Sequence, residues 1–329
     1  MSSDDFGDEP AGAEDRDDPV EAADAFARQR QRAADLGGFL WELDRHVLTW
    51  LPGRGERLVV TFDNLAAVRE TVDRIAWGQA FLQAQGFDIL AVQIKRRDWF
   101  RDSQLIAALQ SLRDDGFFSR FPAVSMYGSS MGAFGALAFA PLAPGCTVMA
   151  FAPQRSLDPT LCPFETRYRH ARLTTDWTLP FGDAAEGLHA ASRAYVAFDP
   201  TQPEDTQHAA ALSAPNVTFL PMRHMGHKLP PGLLKMGLLK ALSLKAFNAQ
   251  LELPEFARMM RARRDSIPWR ADLLARCRAR GHYRLGLKAA AWMMTDRPHW
   301  KIRHQRKELA AALAAAEATQ AGQALAKRR

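Results

Sequence analysis

The chain has 329 residues, 47% of them apolar and 24% charged, with a net charge of +6. These are the proportions of an ordinary soluble globular protein, long enough for one large α/β domain plus an appendage. Three widely spaced cysteines, Cys146, Cys162 and Cys277, fit no metal spacing and are odd in number, which predicts a reducing compartment and no disulfide framework. No apolar run reaches the roughly 18 residues a membrane span needs, and the acidic N-terminus lacks the basic and apolar regions of a signal peptide. The protein is therefore expected in the cytoplasm.

The charge is unevenly spread. Residues 1–25 hold ten Asp/Glu against one Arg, whereas residues 251–329 hold eighteen Lys/Arg against seven Asp/Glu. With so little to bury, residues 1–37 read as a disordered acidic tail. Apolar runs at Phe39–Leu43 and Val47–Leu51 around Asp44-Arg45-His46 predict a hairpin. Arg57–Phe62 is a β-branched strand bounded by Gly55 and Asp63-Asn64. Ala76–Gln85 has helical composition and stops at Gly86, and Phe87–Ile94 is again a strand. Asp102 or Ser103 can cap a helix whose Leu105, Ile106, Leu109 and Leu112 share one stripe. Strands follow at Phe121–Tyr127, Cys146–Phe151, Ala194–Phe198 and Val217–Leu220, and a helix at Leu233–Phe247. Strands separated by helices imply a parallel sheet with right-handed crossovers, and its site lies beyond the carboxyl ends of the strands.

At one of those ends stands Gly128-Ser129-Ser130-Met131-Gly132, between an apolar run and the small-residue run Met131–Pro141. A serine hydroxyl becomes nucleophilic when a sharp strand-to-helix turn exposes it beside a base and N–H donors, and flanking glycines let the backbone pass closely. Ser130 has glycines two residues to either side; Ser129 does not. An acid is expected after the Ala194–Phe198 strand, in Asp199-Pro200-Thr201-Gln202-Pro203-Glu204-Asp205. Asp199 is the first choice there and Asp205 the alternate. After Val217–Leu220 comes a loop with His224 and Gly226-His227. A glycine just before the base allows close approach over the serine, which favours His227 as general base and leaves His224 as alternate. Two histidines without a nearby Cys or carboxylate in metal spacing assign no metal.

With G-S-S-M-G at 128–132, D-P-T-Q-P at 199–203 and G-H at 226–227, the region from about Phe39 to Phe247 resembles the α/β-hydrolase superfamily, whose triad order is Ser…Asp…His. The resemblance implies a mostly parallel, doubly wound sheet and a serine attacking an acyl carbonyl. It also implies an oxyanion hole of two backbone N–H groups. Met131 supplies one; the loop after Arg57–Phe62 supplies the other, with Asn64 the best candidate because the usual His-Gly is replaced by T-F-D-N. In this family the insertion at residues 152–191 forms a lid. Here it mixes Arg155, Arg167, Arg169, His170 and Arg172 with Asp158, Glu165 and Asp176, and with Phe164, Tyr168 and Trp177. Such a lid would suit an acyl substrate carrying anionic or sugar groups, or would simply be a solvated cap.

The domains expected are thus a tail (1–37), an α/β-hydrolase domain (38–250) and a basic, all-helical C-terminal extension (251–329). In the extension, Gly281-His282-Tyr283 through Pro298 has the spacing of half a tetratricopeptide repeat, with Gly286 and Met293 at the usual Ala positions. A single hairpin of this kind cannot bury its own face. Leu309–Leu325 reads as a terminal helix with Lys327-Arg328-Arg329 frayed beyond it. The basic charge points to a solvated face, an acidic protein partner or an anionic surface; nucleic acid is disfavoured because no recognition motif accompanies it. The function expected is a cytoplasmic serine esterase or thioesterase that needs no cofactor. One alternative is acyl transfer, since the elbow region bears a weak likeness to bacterial glycan O-acetyltransferases. The other is a hydrolase-like scaffold without activity, working through its basic tail.

Overall fold

The computed structural model describes residues 25–70 and 72–326. Among them a helix, α1 (Ala27–Asp35), precedes a sheet of β1 (Phe39–Glu42), β2 (His46–Leu51), β3 (Arg57–Phe62), β4 (Asp88–Ile94), β5 (Ala123–Ser129), β6 (Thr147–Phe151), β7 (Arg193–Phe198) and β8 (Val217–Pro221). The strands lie in the order β1-β2-β4-β3-β5-β6-β7-β8. β2 pairs antiparallel with both β1 and β4, and every pairing from β4–β3 to β7–β8 is parallel. This mostly parallel sheet, flanked by helices, is of the α/β-hydrolase type.

Helices fill the crossovers: α2 (Gln79–Ala84), α3 (Ser103–Asp114), α4 (Met131–Ala138), α5 (Arg169–Thr174), α6 (Ala184–Gly187) and α7 (Pro203–Ala211). The Asp102 carboxylate caps α3 by accepting from Leu105 N, and the stripe Leu105, Ile106, Leu109, Leu112 is buried as its spacing predicts. β4 and β6 are buried along their whole length, which is why they read as continuous apolar runs rather than alternating ones.

Three expectations change. The acidic tail was drawn to residue 37, but residues 27–35 form α1, whose Gln29 and Ala33 are buried and whose Gln29 Nε2 donates to Gln79 Oε1 at 2.7 Å. The rest of that tail, residues 1–24, lies outside the described residues. The single helix expected over Leu233–Phe247 is two, α8 (Leu229–Lys235) and α9 (Leu239–Phe247), with Gly237 in the left-handed region at φ 70° between them. The terminal helix begins at Trp300 rather than Leu309.

The chain divides into two compact units: residues up to Pro231 with Leu239–Leu253, and Gly232–Leu238 with the residues from Pro254 onward. The second contains α10 (Leu253–Met259) from Pro254 on, α11 (Ile267–Ala279), α12 (Tyr283–Asp296) and α13 (Trp300–Ala326). The last three pack around Leu274, Ala290, Met293, Ile302 and Leu309. α13 supplies the third face that a lone hairpin lacks. At Gly286 a Cβ would sit 2.9 Å from Leu309 Cδ2 and 3.0 Å from Cys277 Cβ, so the absent side chain is what lets the helices meet.

Candidate active site

Ser130 occupies the turn between β5 and α4 at φ 54° and ψ −119°, a conformation costly for any residue but glycine. Surrounding contacts hold it there. Its N–H donates to Phe151 O at 2.8 Å, and its carbonyl accepts from Ala133 N at 2.9 Å and Phe134 N at 3.0 Å. Both flanking glycines are sterically required. A Cβ on Gly128 would lie 2.0 Å from Gly132 O, and one on Gly132 would lie 2.3 Å from Phe62 O. That second approach brings the elbow against the end of β3. Other positive-φ residues stand just past the carboxyl ends of neighbouring strands: Trp99 and Phe100 after β4, Ala152 after β6, His224 after β8.

Ser130 Oγ meets His227 Nε2 at 2.9 Å, and His227 Nδ1 meets Asp205 Oδ2 at 2.9 Å and Oδ1 at 3.0 Å. These partners assign the tautomer: Nδ1–H donates to the carboxylate and Nε2 accepts from the serine. Of the two loop histidines, His227 is the one on Ser130. The carboxylate on the imidazole is that of Asp205, not Asp199, which corrects the first choice made from sequence. Asp199 Oδ1 accepts from Thr201 N at 2.9 Å and from Thr201 Oγ1 at 2.6 Å, an Asx turn, while Oδ2 accepts from Gly226 N at 2.8 Å. Its side chain is spent tying the acid loop to the histidine loop, one residue before His227. Asp205 projects from the first turn of α7, where the helix dipole favours negative charge.

Behind Asp205 lies a buried polar cluster that pattern reading did not assign. Arg167 Nη1 donates to Asp205 Oδ1 at 2.7 Å, and the same guanidinium grips Glu165 through Nη2 at 2.6 Å and Nε at 3.1 Å. Glu165 Oε2 accepts from His208 Nε2 at 3.0 Å, and His208 Nδ1 accepts from Arg155 N at 3.2 Å, so His208 is the neutral Nε2–H tautomer. Burial opposes the charge on Glu165, yet the bonds from His208 and Arg167 outweigh it and hold the carboxyl at about 2. Burial likewise opposes the charge on Asp205, and the bonds and charges of His227 and Arg167 keep it below the ordinary carboxylate range. Burial pushes His208 down, with Glu165 pulling the other way.

Two arginines of the lid are therefore committed internally: Arg167 to this cluster and Arg155 to Asp183 at 2.6 Å. They are not free to receive an anionic substrate. Tyr168 enters from the same segment. Its hydroxyl stands 3.4 Å from His227 Nε2, and its ring packs on Trp99 with centroids 4.9 Å apart.

Met131 N is the first amide of α4 and has no intrahelical acceptor by geometry, so it is available beside Ser130. Asn64 caps the 3₁₀ turn Leu65–Arg69, its Oδ1 accepting from Ala66 N at 2.9 Å. The preceding residue, Asp63, is buried on Arg74 at 2.7 Å and fixes this loop at the end of β3. A cavity of about 650 Å³ opens elsewhere, at the amino ends of β3, β5 and β6 beside Arg57 and Cys146, away from Ser130. Among the described residues no group of His, Cys, Asp and Glu is arranged to hold a metal ion, and no helix is long and apolar enough to cross a membrane.

No known family profile and no curated protein matches the chain by sequence. Solved structures with a similar fold include a capsule O-acetyltransferase of Neisseria meningitidis serogroup A in complex with CoA (14% identity, 57% of this chain and 87% of that one, TM-score 0.40). Others are an esterase of Pyrococcus furiosus (13%, 66% and 92%, 0.41) and the esterase domain of a Rhodothermus marinus protein (16%, 64% and 97%, 0.40). At such values the fold assignment rests on the strand order and the turn at Ser130, not on these neighbours.

Proposed function

We propose that this chain is a serine acyl hydrolase of the cytoplasm, with Ser130 as nucleophile, His227 as general base and acid, and Asp205 as the carboxylate that orients the imidazole. One observation carries the reading: the continuous line Ser130 Oγ–His227–Asp205, with both contacts at 2.9 Å, hung on a strained strand-to-helix turn. As Ser130 Oγ bonds to an ester carbonyl carbon, Nε2 takes its proton and the carbonyl π pair moves onto oxygen. The Met131 N–H receives that oxyanion, with Asn64 as the second donor through its backbone N–H or Nδ2. Collapse expels the alcohol, to which His227 returns the proton, and water resolves the acyl-enzyme by the same steps.

The buried charges favour this proton transfer. With His208 and His227 neutral, two carboxylates face one guanidinium, and the cluster is one negative charge in excess. It becomes neutral when His227 takes the serine proton, so the imidazolium forms where a compensating charge already waits.

A fluorophosphonate probe tests the reading. The wild-type protein is expected to label at Ser130, and Ser130→Ala to lose all labelling; an unlabelled wild type across pH 7–9 would refute it. Because the acyl-enzyme can be resolved by an alcohol as readily as by water, turnover is also to be followed with added sugar or alcohol acceptor. A rate that rises with acceptor concentration assigns transfer rather than hydrolysis.

A further inference from the structure

Tyr168 is buried, and its hydroxyl lies 3.4 Å from His227 Nε2 with the Ser130 side chain also in hydrogen-bonding reach. The ring is held on two sides, by Trp99 at 4.9 Å between centroids and by the Arg167 guanidinium 5.3 Å from its centre. Burial pushes its phenol well above the ordinary range, so the group keeps its proton and acts as a donor.

Position decides what it donates to. In serine acyl transfer the oxyanion turns toward backbone N–H groups, here that of Met131. The departing oxygen must instead lie near the nitrogen that took the serine proton, because the same nitrogen returns it. A hydroxyl 3.4 Å from Nε2 stands on that departing side. Resting on the serine reading above, we propose that Tyr168 is a catalytic residue whose O–H hydrogen-bonds the oxygen leaving the acyl carbon, making the site selective for oxygen esters over thioesters.

The balance is simple. The Ser130 Oγ–C bond forms while its proton passes to Nε2; on collapse the C–OR bond breaks and the Nε2 proton goes to RO. Tyr168 keeps its own proton throughout and stabilises the charge growing on RO. Water or an alcohol entering for the second half occupies the same place and is oriented by the same hydroxyl. A departing thiolate gains little, because sulfur is a weak acceptor. The discrimination thus comes from one phenolic O–H, not from pocket volume.

The test compares phenyl acetate with S-phenyl thioacetate, which share an acyl group, on the full-length wild type, Tyr168→Phe and Ser130→Ala. Acetyl-Ser130 is followed by intact mass. Tyr168→Phe is expected to lower kcat/KM on the oxygen ester about ten- to a hundred-fold, and on the thioester by less than about three-fold. Its melting midpoint and fluorophosphonate labelling should match the wild type. Equal losses on both substrates, with or without a lower melting midpoint, overturn the assignment, and so does no loss on either. Wild-type turnover that Ser130→Ala abolishes but Tyr168→Phe spares overturns Tyr168 alone. Absence of any Ser130-dependent turnover or labelling overturns the serine reading, and this one with it.

Discussion

Asp199 and Asp205 are six residues apart and equally acidic, yet their surroundings give them different work. Asp205 is fully buried between His227 and Arg167, so its charge is the one the imidazolium feels. Asp199 bonds a backbone amide at Gly226, which sits at φ 71° immediately before His227. Replacing Asp205 by Asn leaves the shape but removes the charge and the tautomer preference, and kcat is expected to fall about 10³- to 10⁴-fold with little change in KM. Asp199→Asn keeps an acceptor for Gly226 and should cost about ten-fold or less. Steady-state kinetics of the two variants on one ester decides the point; equal losses would reverse the roles. Ser130 and His227 were legible from sequence because their signal is local, a glycine at a fixed offset. The choice between the two acids was not, since it depends on which way each side chain turns after β7. Arg167 and Tyr168 carried no readable signal at all, because nothing along the chain links residue 167 to 205 or 168 to 227.

The elbow and the end of β3 form one tight joint. α4 passes so close to β3 that Gly132 has no room for a methyl group beside Phe62 O and Asp63 O, the latter 2.8 Å from where a Cβ would be. Gly132→Ala should destabilise the fold by about 1–3 kcal/mol and slow Ser130 labelling, as read by urea denaturation and probe kinetics. A variant with unchanged stability and labelling would mean that the joint yields. Core strands were the easiest elements to find: β3 was read to the residue, bracketed by Gly55 and Asp63 and made of β-branched and aromatic residues. α1 was missed for the opposite reason. Its sequence ARQRQRAAD is polar almost throughout, and its burial rests on Gln29 meeting Gln79, fifty residues away. No periodic apolar stripe announces such a helix.

At the level of the whole molecule, the buried carboxylates make stability depend on acid. Glu165, held at about 2, and Asp205, held below its usual range, stay ionised in the folded chain after an unfolded chain has taken up protons at about pH 4. Their contribution is present above that pH and is lost as pH falls through the folded values, toward about 2 for Glu165. His208, pushed down by burial, acts in the same direction from about pH 6.5 downward, since the unfolded imidazole binds its proton first. The melting midpoint should therefore fall steeply between pH 5 and 2, and Glu165→Gln should flatten that slope; parallel curves would show that the cluster titrates elsewhere. The overall α/β plan was legible because strands and helices alternate at even spacing. The internal order of the second unit was less so, because α13 runs to Ala326 through a nearly patternless Ala-rich stretch.

The four residues Glu165 to Tyr168 belong to what the sequence marks as a cover over the pocket, the part of such proteins one would choose to exchange when altering substrate preference. Here the exchange would fail as engineering. Arg167 secures the acid from behind and Tyr168 reaches the nucleophile from the front, so a transplanted cap would remove the counter-ion of Asp205 and a hydroxyl beside Ser130 in a single step. Redesign of specificity belongs instead in the exposed remainder of the insertion, such as Leu161 and Leu173, with 165–168 retained as fixed machinery.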